Sequence, residues 1–257
     1  MKLASWNVNS VRARHDRVVR WLDTHQPDVL CLQELKCTED KFPYQAMQDL
    51  GYHAVVYGQP TYNGVAILAR DALSDVTRGW LDGEEDPQAR LIAATVKGVR
   101  VITAYVPNGG SLEADRYQYK LKWLKRLRQH LDLHVSPDGH MVLCGDFNVA
   151  PDDIDVALPE KWKNTVLCHP SAREAYQHVA DWGLHDTLRK HRKEGGLYSW
   201  WDYRQLGFPK NDGLRLDLIL ASRPLWEQCA EVGIDRNERK GKLPSDHVPV
   251  MATFTLT

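Results

Sequence analysis

Short apolar runs that end in a carboxylate, a carboxamide or a histidine recur along this chain, and they constrain its fold more than any other feature. Val29-Leu30-Cys31-Leu32 is continuous apolar sequence bounded by Pro27 and Gln33. A run of that kind, without alternation, suits a strand buried on both faces. The same reading predicts strands over 2–7, 28–32, 52–57, 65–69, 91–96, 99–106, 141–143, 216–221 and 248–256. Helices are predicted over 11–25, where Val11, Val18, Trp21 and Leu22 fall near helical spacing, and over 42–50, 112–133 and 172–182.

Some strands come in pairs across glycine turns, as at Lys97-Gly98, and others are separated by helices, so the sheets should be mixed. No repeat, low-complexity tract or linker divides the chain. The expectation is one α/β domain over 1–257, with two packed sheets and helices outside them. Its two halves could be related in space without repeating in sequence.

Composition narrows the classes. With 43% hydrophobic residues, and 33 Lys plus Arg against 34 Asp plus Glu for a net charge of −1, the chain has material for a large core and is not disordered. Near-neutrality also excludes a polyanion binder that works by bulk positive charge, so contacts with nucleic acid must come from local patches. No stretch approaches the roughly 20 apolar residues of a membrane helix, and Met1 leads straight into a strand without a leader-like segment. Cys31, Cys37, Cys144, Cys168 and Cys229 are odd in number and form no CxxC, which fits a reducing cytoplasm rather than a disulfide framework or zinc site.

The polar residues at the run ends carry the chemistry. Asn7 follows Leu3-Ala4-Ser5-Trp6, and Glu34 follows Leu32-Gln33. Asp146 and Asn148 follow Met141-Val142-Leu143-Cys144-Gly145, and Tyr105 and Asn108 close 101–107. Asp217 lies within Leu216-Asp217-Leu218-Ile219-Leu220, and Asp246 and His247 precede Val248-Pro249-Val250. Taken singly, a carboxylate after a strand is more often a turn or cap residue than a ligand. Asp217 differs, because a charge among aliphatics is costly unless it is paired or bound to metal. Converging strand ends would make one polar cluster on a rigid scaffold. A Ser/His/Asp triad is excluded, since Ser245, Asp246 and His247 are consecutive and no GxSxG elbow occurs.

Six blocks in register resemble the exonuclease III family, within the endonuclease, exonuclease and phosphatase superfamily. They are Trp6-Asn7-Val8-Asn9, Leu32-Gln33-Glu34, Tyr105-Val106-Pro107-Asn108, Gly145-Asp146-Phe147-Asn148, Arg215-Leu216-Asp217 and Ser245-Asp246-His247. The resemblance implies a four-layer α/β sandwich of two mixed sheets flanked by helices, of the DNase I-like type. It also implies a DNA repair nuclease that acts as a 3′-5′ exonuclease, a 3′-phosphatase and an endonuclease at abasic sites. Such an enzyme uses Mg²⁺, with Mn²⁺ able to substitute, on double-stranded DNA with abasic sites or 3′ ends. A cytoplasmic monomer is expected.

By the same resemblance Glu34 is the first metal ligand, with Asn7, and Asn9 as a further candidate; Asp246 serves a second metal position or arranges the site. Asp146 activates or positions the attacking water, and Asn148 fixes its orientation or donates to the phosphate. His247, held by Asp217, stabilises a phosphoryl oxygen, and Tyr105 and Asn108 donate to the phosphate. Trp200, Leu214 and Leu216 match segments that form a pocket for a base-free sugar, with one of Trp200 and Trp201 in the core and the other at the site. His169, in Val166-Leu167-Cys168-His169-Pro170-Ser171, is expected to narrow that pocket and to favour 3′ trimming over internal cleavage.

Basic residues cluster at Arg116, Lys120, Lys122, Lys125, Arg126 and Arg128, at 189–193 and at 236–242. Most should decorate solvated helix faces and some should meet phosphates. Two other functions compete: a superfamily phosphodiesterase or phosphatase acting on another substrate, and a non-catalytic nucleic-acid-binding regulator. The second should lack several of the site residues, and all are present.

Overall fold

In the computed structural model, which describes residues 1–256, the apolar runs form two six-stranded mixed sheets packed face to face. The first contains β1 (Lys2–Asn7), β2 (Val29–Gln33), β3 (His53–Tyr57) and β4 (Val65–Ala69). The second contains β5 (Ser74–Arg78), β6 (Leu91–Val96), β7 (Val99–Tyr105), β8 (Met141–Asp146), β9 (Leu184–Asp186) and β10 (Asp217–Ser222). Strands β11 (Cys229–Ile234) and β12 (Val250–Phe254) return to complete the first sheet, in the order β11-β12-β1-β2-β4-β3. The second sheet runs β5-β6-β7-β8-β10-β9.

Each sheet has one parallel pair at its centre, β1 with β2 and β7 with β8, and antiparallel pairs on both sides. A parallel pair needs a crossover, and helices supply it: α1 (His15–His25) between β1 and β2, and later α3 (Asp115–His134) between β7 and β8. The short α2 (Tyr44–Gln48) lies between them in sequence. The two sheets therefore share one strand plan, the spatial relation that sequence comparison leaves invisible.

Alternation along the strands divides the core. Leu3, Cys31, Ile67, Val101 and Cys144 face the other sheet. Ala4, Trp6, Leu30 and Leu32 pack under Val18, Trp21 and Leu22 of α1, while Ile102, Ala104 and Leu143 pack under Leu124 and Leu127 of α3 and Ala172 and Val179 of α5 (Pro170–Ala180). A four-residue helix, α4 (Pro159–Trp162), precedes α5. The result is the expected four layers, helix, sheet, sheet, helix.

The local differences have physical reasons. Residues 11–14 form a turn and α1 starts at His15. It ends where Gln26 takes a left-handed φ of 46° before Pro27. The runs at β5, β9 and β11 were not predicted as strands; they are edge strands, and Ser74-Asp75-Val76-Thr77-Arg78 carries no apolar pattern to read. Strand β8 extends beyond 143 to Asp146, and Asp217 begins β10 rather than lying in its middle.

Candidate active site

The central strand plan brings the polar run ends to one edge of the sandwich. Tyr105 pairs in register with Asp146, and Asp146 with Asp217, so the ends of β7 and β8 and the start of β10 lie side by side. Asn7 ends β1 beside Gln33, and Glu34 turns out of β2 with φ of 54°. Glycine is required just before Asp146. Gly145 has φ of 136°, and a Cβ there would sit 1.9 Å from the carbonyl oxygen of Ala104. Asn148 takes φ of 48°, so strained backbone flanks Asp146 at a site that holds it in place.

The side chains form one chain of hydrogen bonds joined at His247 and Asp146 by an ion-pair contact. His247 Nδ1 lies 2.8 Å from Asp217 Oδ2, leaving Nε2 3.6 Å from Asp146 Oδ2. Asp146 accepts from the Asn148 backbone N–H at 2.9 Å, the Asn148 amide at 3.2 Å and the Asn7 amide at 2.9 Å. Asn7 Nδ2 also donates to Glu34 Oε1 at 2.9 Å, and Asn108 Nδ2 donates to Asn148 Oδ1 at 3.0 Å.

Burial sets the charges. It pushes the Asp146 carboxyl above the usual carboxylate range; the His247 cation pulls it back, and Asp217 raises it again. Burial opposes a charged His247, but Asp217 and Asp146 outweigh it and hold the imidazolium. Burial, Glu34 and Asp146 together keep the Tyr105 hydroxyl protonated and able to donate.

The donor set fits a hard divalent cation. Polar side-chain atoms of Glu34, Asp146 and His247 lie within 4.8 Å of one another, and the two carboxylates are the donors available there, since His247 is held charged. The Lys36 ammonium lies 2.9 Å from Glu34 Oε2 and 2.6 Å from Asn9 Oδ1, so a cation is already held at this carboxylate. Two expected ligands stand differently. Asn7 turns its N–H, not its oxygen, toward both carboxylates and gives Oδ1 to the Asn9 backbone N–H, so here it orients the carboxylates. Asp246 accepts from Asn9 Nδ2 and from Trp200 Nε1, each at 3.0 Å, and lies outside the three-residue cluster.

The apolar pocket also needs correction. Trp200 is half-buried at the site, and its backbone bridges Leu214 and His247; Trp201 is fully buried. Leu214 and Leu216 are 0% and 1% exposed, so they are the floor beneath Trp200 and present no wall that a sugar could touch. Trp162 of α4, not singled out from sequence, stands edge-on to Trp200 at 5.6 Å. His169 caps α5: its Nδ1 lies 2.8 Å from Ser171 Oγ and its ring meets the Tyr117 ring edge-on.

Two serines missed in the sequence hold this frame. Ser199 Oγ accepts the backbone N–H of Leu216 and Asp217, both at 3.0 Å. Ser245 Oγ donates to Asn7 O at 2.7 Å and accepts from His247 N. Lys120, one of the basic cluster on the 112–133 helix, is 0% exposed and meets neither solvent nor an open phosphate site. Its signal was readable, because it shares the helical stripe of Tyr117, Leu124, Leu127 and Leu131.

A carboxylate with a raised pKa, a charged histidine aimed beside it, carboxamide and phenol donors, and carboxylate oxygens for a cation make a centre suited to hydrolysing phosphate esters. The chain belongs to the Endonuclease/Exonuclease/phosphatase family, whose pattern it matches over residues 4–247. It is 36% identical to exodeoxyribonuclease III of Haemophilus influenzae over 99% of this chain and 100% of that one. Among solved structures it superimposes at a TM-score of 0.97 on an AP endonuclease from Archaeoglobus fulgidus, with 42% identity. The TM-score is again 0.97, with 43% identity, for the 3′ phosphatase NExo from Neisseria bound to a product DNA hairpin. Both structural matches cover all of each chain.

Proposed function

We propose that this protein is a DNA repair nuclease that hydrolyses phosphodiester bonds. It removes nucleotides and phosphate from 3′ ends of duplex DNA and cuts 5′ to abasic sites in base excision repair. The observation that carries this reading is the buried chain from Asp217 through His247 to Asp146 and Asn148, set against Glu34. The relatives' names, exodeoxyribonuclease III, AP endonuclease and 3′ phosphatase, favour DNA over a small phosphorylated molecule.

In this reading Asp146 takes the proton of the attacking water while Asn148 holds that water in line. His247 gives charge-assisted hydrogen bonding to a phosphoryl oxygen, with Asp217 fixing its ring, and Tyr105 and Asn108 donate to the other oxygens. Glu34 would hold Mg²⁺, or Mn²⁺ in its place, beside Asp146, and Asn7 orients both carboxylates. When bound, the cation supplies Lewis-acid stabilisation of charge on the phosphate. Trp200 and Trp162 offer a ring corner for the terminal sugar, and His169 limits how far an internal abasic nucleotide can enter. One chain supplies every side chain of the cluster, which supports a monomer. Among the described residues no helix is long and apolar enough to cross a membrane, and the unpaired cysteines fit the cytoplasm.

The test is incubation with duplexes bearing a recessed 3′ end, a 3′-phosphate or an abasic site, with Mg²⁺ or with chelator. Metal-dependent release from the 3′ ends is expected to exceed abasic-site cutting. Activity that persists in chelator, or in Asp146→Ala and His247→Ala, would reject the reading. A His169→Gly variant that gains no abasic-site cutting would reject the role given to His169.

A further inference from the structure

Lys120 is placed where a lysine is costly. It is 0% exposed in the apolar stripe of α3, where another leucine would continue the packing. Its Nζ lies 2.6 Å from Asn148 O, 2.6 Å from Val166 O and 3.2 Å from Asn108 O. All three acceptors are main-chain carbonyl oxygens. Three acceptors around one nitrogen use the three N–H groups of an ammonium, more than a neutral amine can supply.

Those three carbonyls belong to three separate loops, and two of them carry site residues. The Asn148 amide donates to Val106 O at 2.9 Å and to Asp146, while its oxygen accepts from Asn108. The Asn108 loop lies directly on α3: a Cβ on Gly109 would meet Tyr117 at 3.1 Å and Lys120 Cδ at 3.3 Å. Lys120 is thus the common anchor of the two asparagines.

We propose that Lys120 is a positioning residue, whose ammonium ties the Asn108, Asn148 and Val166 loops to α3 and so fixes the aim of Asn148 at the attacking water and of Asn108 at the scissile phosphate. This rests on the nuclease reading above. Burial pulls the Lys120 pKa down to about 7, against which Asp146 acts; three charge-assisted hydrogen bonds to main-chain carbonyls favour the ammonium, and the tie keeps the loops from drifting independently. Displacement of about 1 Å at a reacting group can cost ~10²-fold in rate, so the anchor acts on turnover more than on substrate affinity.

The test compares the wild type, Lys120→Met, the double variant Asn108→Ala/Asn148→Ala, and the triple variant, on a recessed 3′ duplex with Mg²⁺. Lys120→Met is expected to lower kcat per folded molecule by ~10²-fold and to change KM by less than about threefold. In the Asn108→Ala/Asn148→Ala background the same substitution is expected to cost under about threefold, because its means of action is already gone. An equal loss in both backgrounds, or an unchanged kcat, overturns the proposal.

If Lys120→Met does not fold, Lys120→Gln keeps two N–H donors and should show a smaller kcat loss at constant KM; wild-type kcat in that variant overturns the idea. ¹⁵N spectra of the Asn108 and Asn148 side-chain amides need no substrate. They should shift or broaden in either Lys120 variant, and unchanged signals reject the anchor even if the wild type proves inactive on DNA. Inactivity of the wild type itself counts against the nuclease reading alone.

Discussion

Replacing Asp155 with asparagine should unfold the protein at a visibly lower temperature, and the structure sets the size of the effect. Asp155 is 1% exposed and serves as the acceptor of a buried ion network. Its Oδ1 takes Arg215 Nε at 2.7 Å and also Arg189; its Oδ2 takes Arg215 Nη2 and the Asp152 backbone N–H, both at 3.2 Å. Arg215 bonds Asp186 at 2.7 Å as well. Two arginines and two aspartates balance. Asparagine leaves a net positive charge and turns an NH₂ toward groups that are themselves donors.

Breaking a buried pair from one side costs about 3–5 kcal/mol, and the lower end applies because Arg189 is 19% exposed and can turn to water. In a chain of 257 residues, 1 kcal/mol is worth roughly 2 °C, so Tm should fall by about 6 °C. Burial opposes ionisation of Asp155, but Arg215 and Arg189 hold its pKa below the usual carboxylate range. A lowered folded pKa stabilises above the unfolded value near ~3.9 and loses that stability as pH falls through the folded value. The gap between wild type and variant should therefore be full at pH 7 and close in acid. Thermal melts at both pH values measure it. A gap below about 1 kcal/mol at pH 7, or one that persists in acid, refutes the reasoning. Replacing both partners, Asp155→Leu with Arg215→Met, leaves Asp186 and Arg189 balanced and should recover most of the loss.

Asp217→Asn should move the alkaline limb of the pH–rate profile down toward neutrality and lower kcat by roughly 10²–10⁴-fold. The reason is that the raised pKa of His247 keeps the imidazolium below that pKa and loses it as pH rises through it. An unmoved limb would show that Asp217 does not hold the charge. Gly145→Ala should cost about 4 kcal/mol or more in a denaturant melt, since the new Cβ meets Ala104 O at 1.9 Å; a small loss would mean that β8 can shift. Trp201→Ala should cost about 3–5 kcal/mol, whereas Trp200→Ala should melt closer to wild type and change the ratio of 3′-phosphate to abasic-site cleavage. Equal melts would contradict the division of the two rings between core and site.

The readable part of the molecule was the part in which burial and chemistry leave a mark on consecutive residues. Central strands such as Val29–Gln33 and Val65–Ala69 are covered on both faces, so their runs are unbroken. The site residues end those same runs and could be found with them. Of the edge strands, β3 keeps the apolar pair Val55-Val56 and could be found, whereas β5, β9 and β11 carry too little pattern to read. Ser199 and Ser245 act through backbone N–H groups and carbonyls of distant segments, and no local spacing marks that. The sealed state of Leu214 and Leu216 depends on the long-range cluster they join, against which Trp200 and Trp162 pack. Lys120 was legible, since it falls in the apolar stripe of its helix and only its charge points to the surface.

The shared strand plan explains why the site divides as it does. In each sheet the parallel pair sends two strand ends to the same edge, Asn7 and Gln33-Glu34 from one sheet, Tyr105 and Asp146 from the other. In the proposed reading one sheet thus brings the cation-binding carboxylate and the asparagine that orients it; the other brings the water-activating carboxylate and the phosphate donors. Neither sheet has a complete centre, so a slide of one over the other would separate Glu34 from Asp146 without unfolding either. The interface resists a slide. Cys31, Ile67, Val101 and Cys144 interdigitate there, and beneath the site Gln33 Nε2 bonds Ser5 Oγ of its own sheet at 3.0 Å and Thr103 Oγ1 of the opposite sheet at 2.9 Å. That buried amide crosses from sheet to sheet one residue before Glu34, so the spacing of the two carboxylates is set by the core that joins the halves.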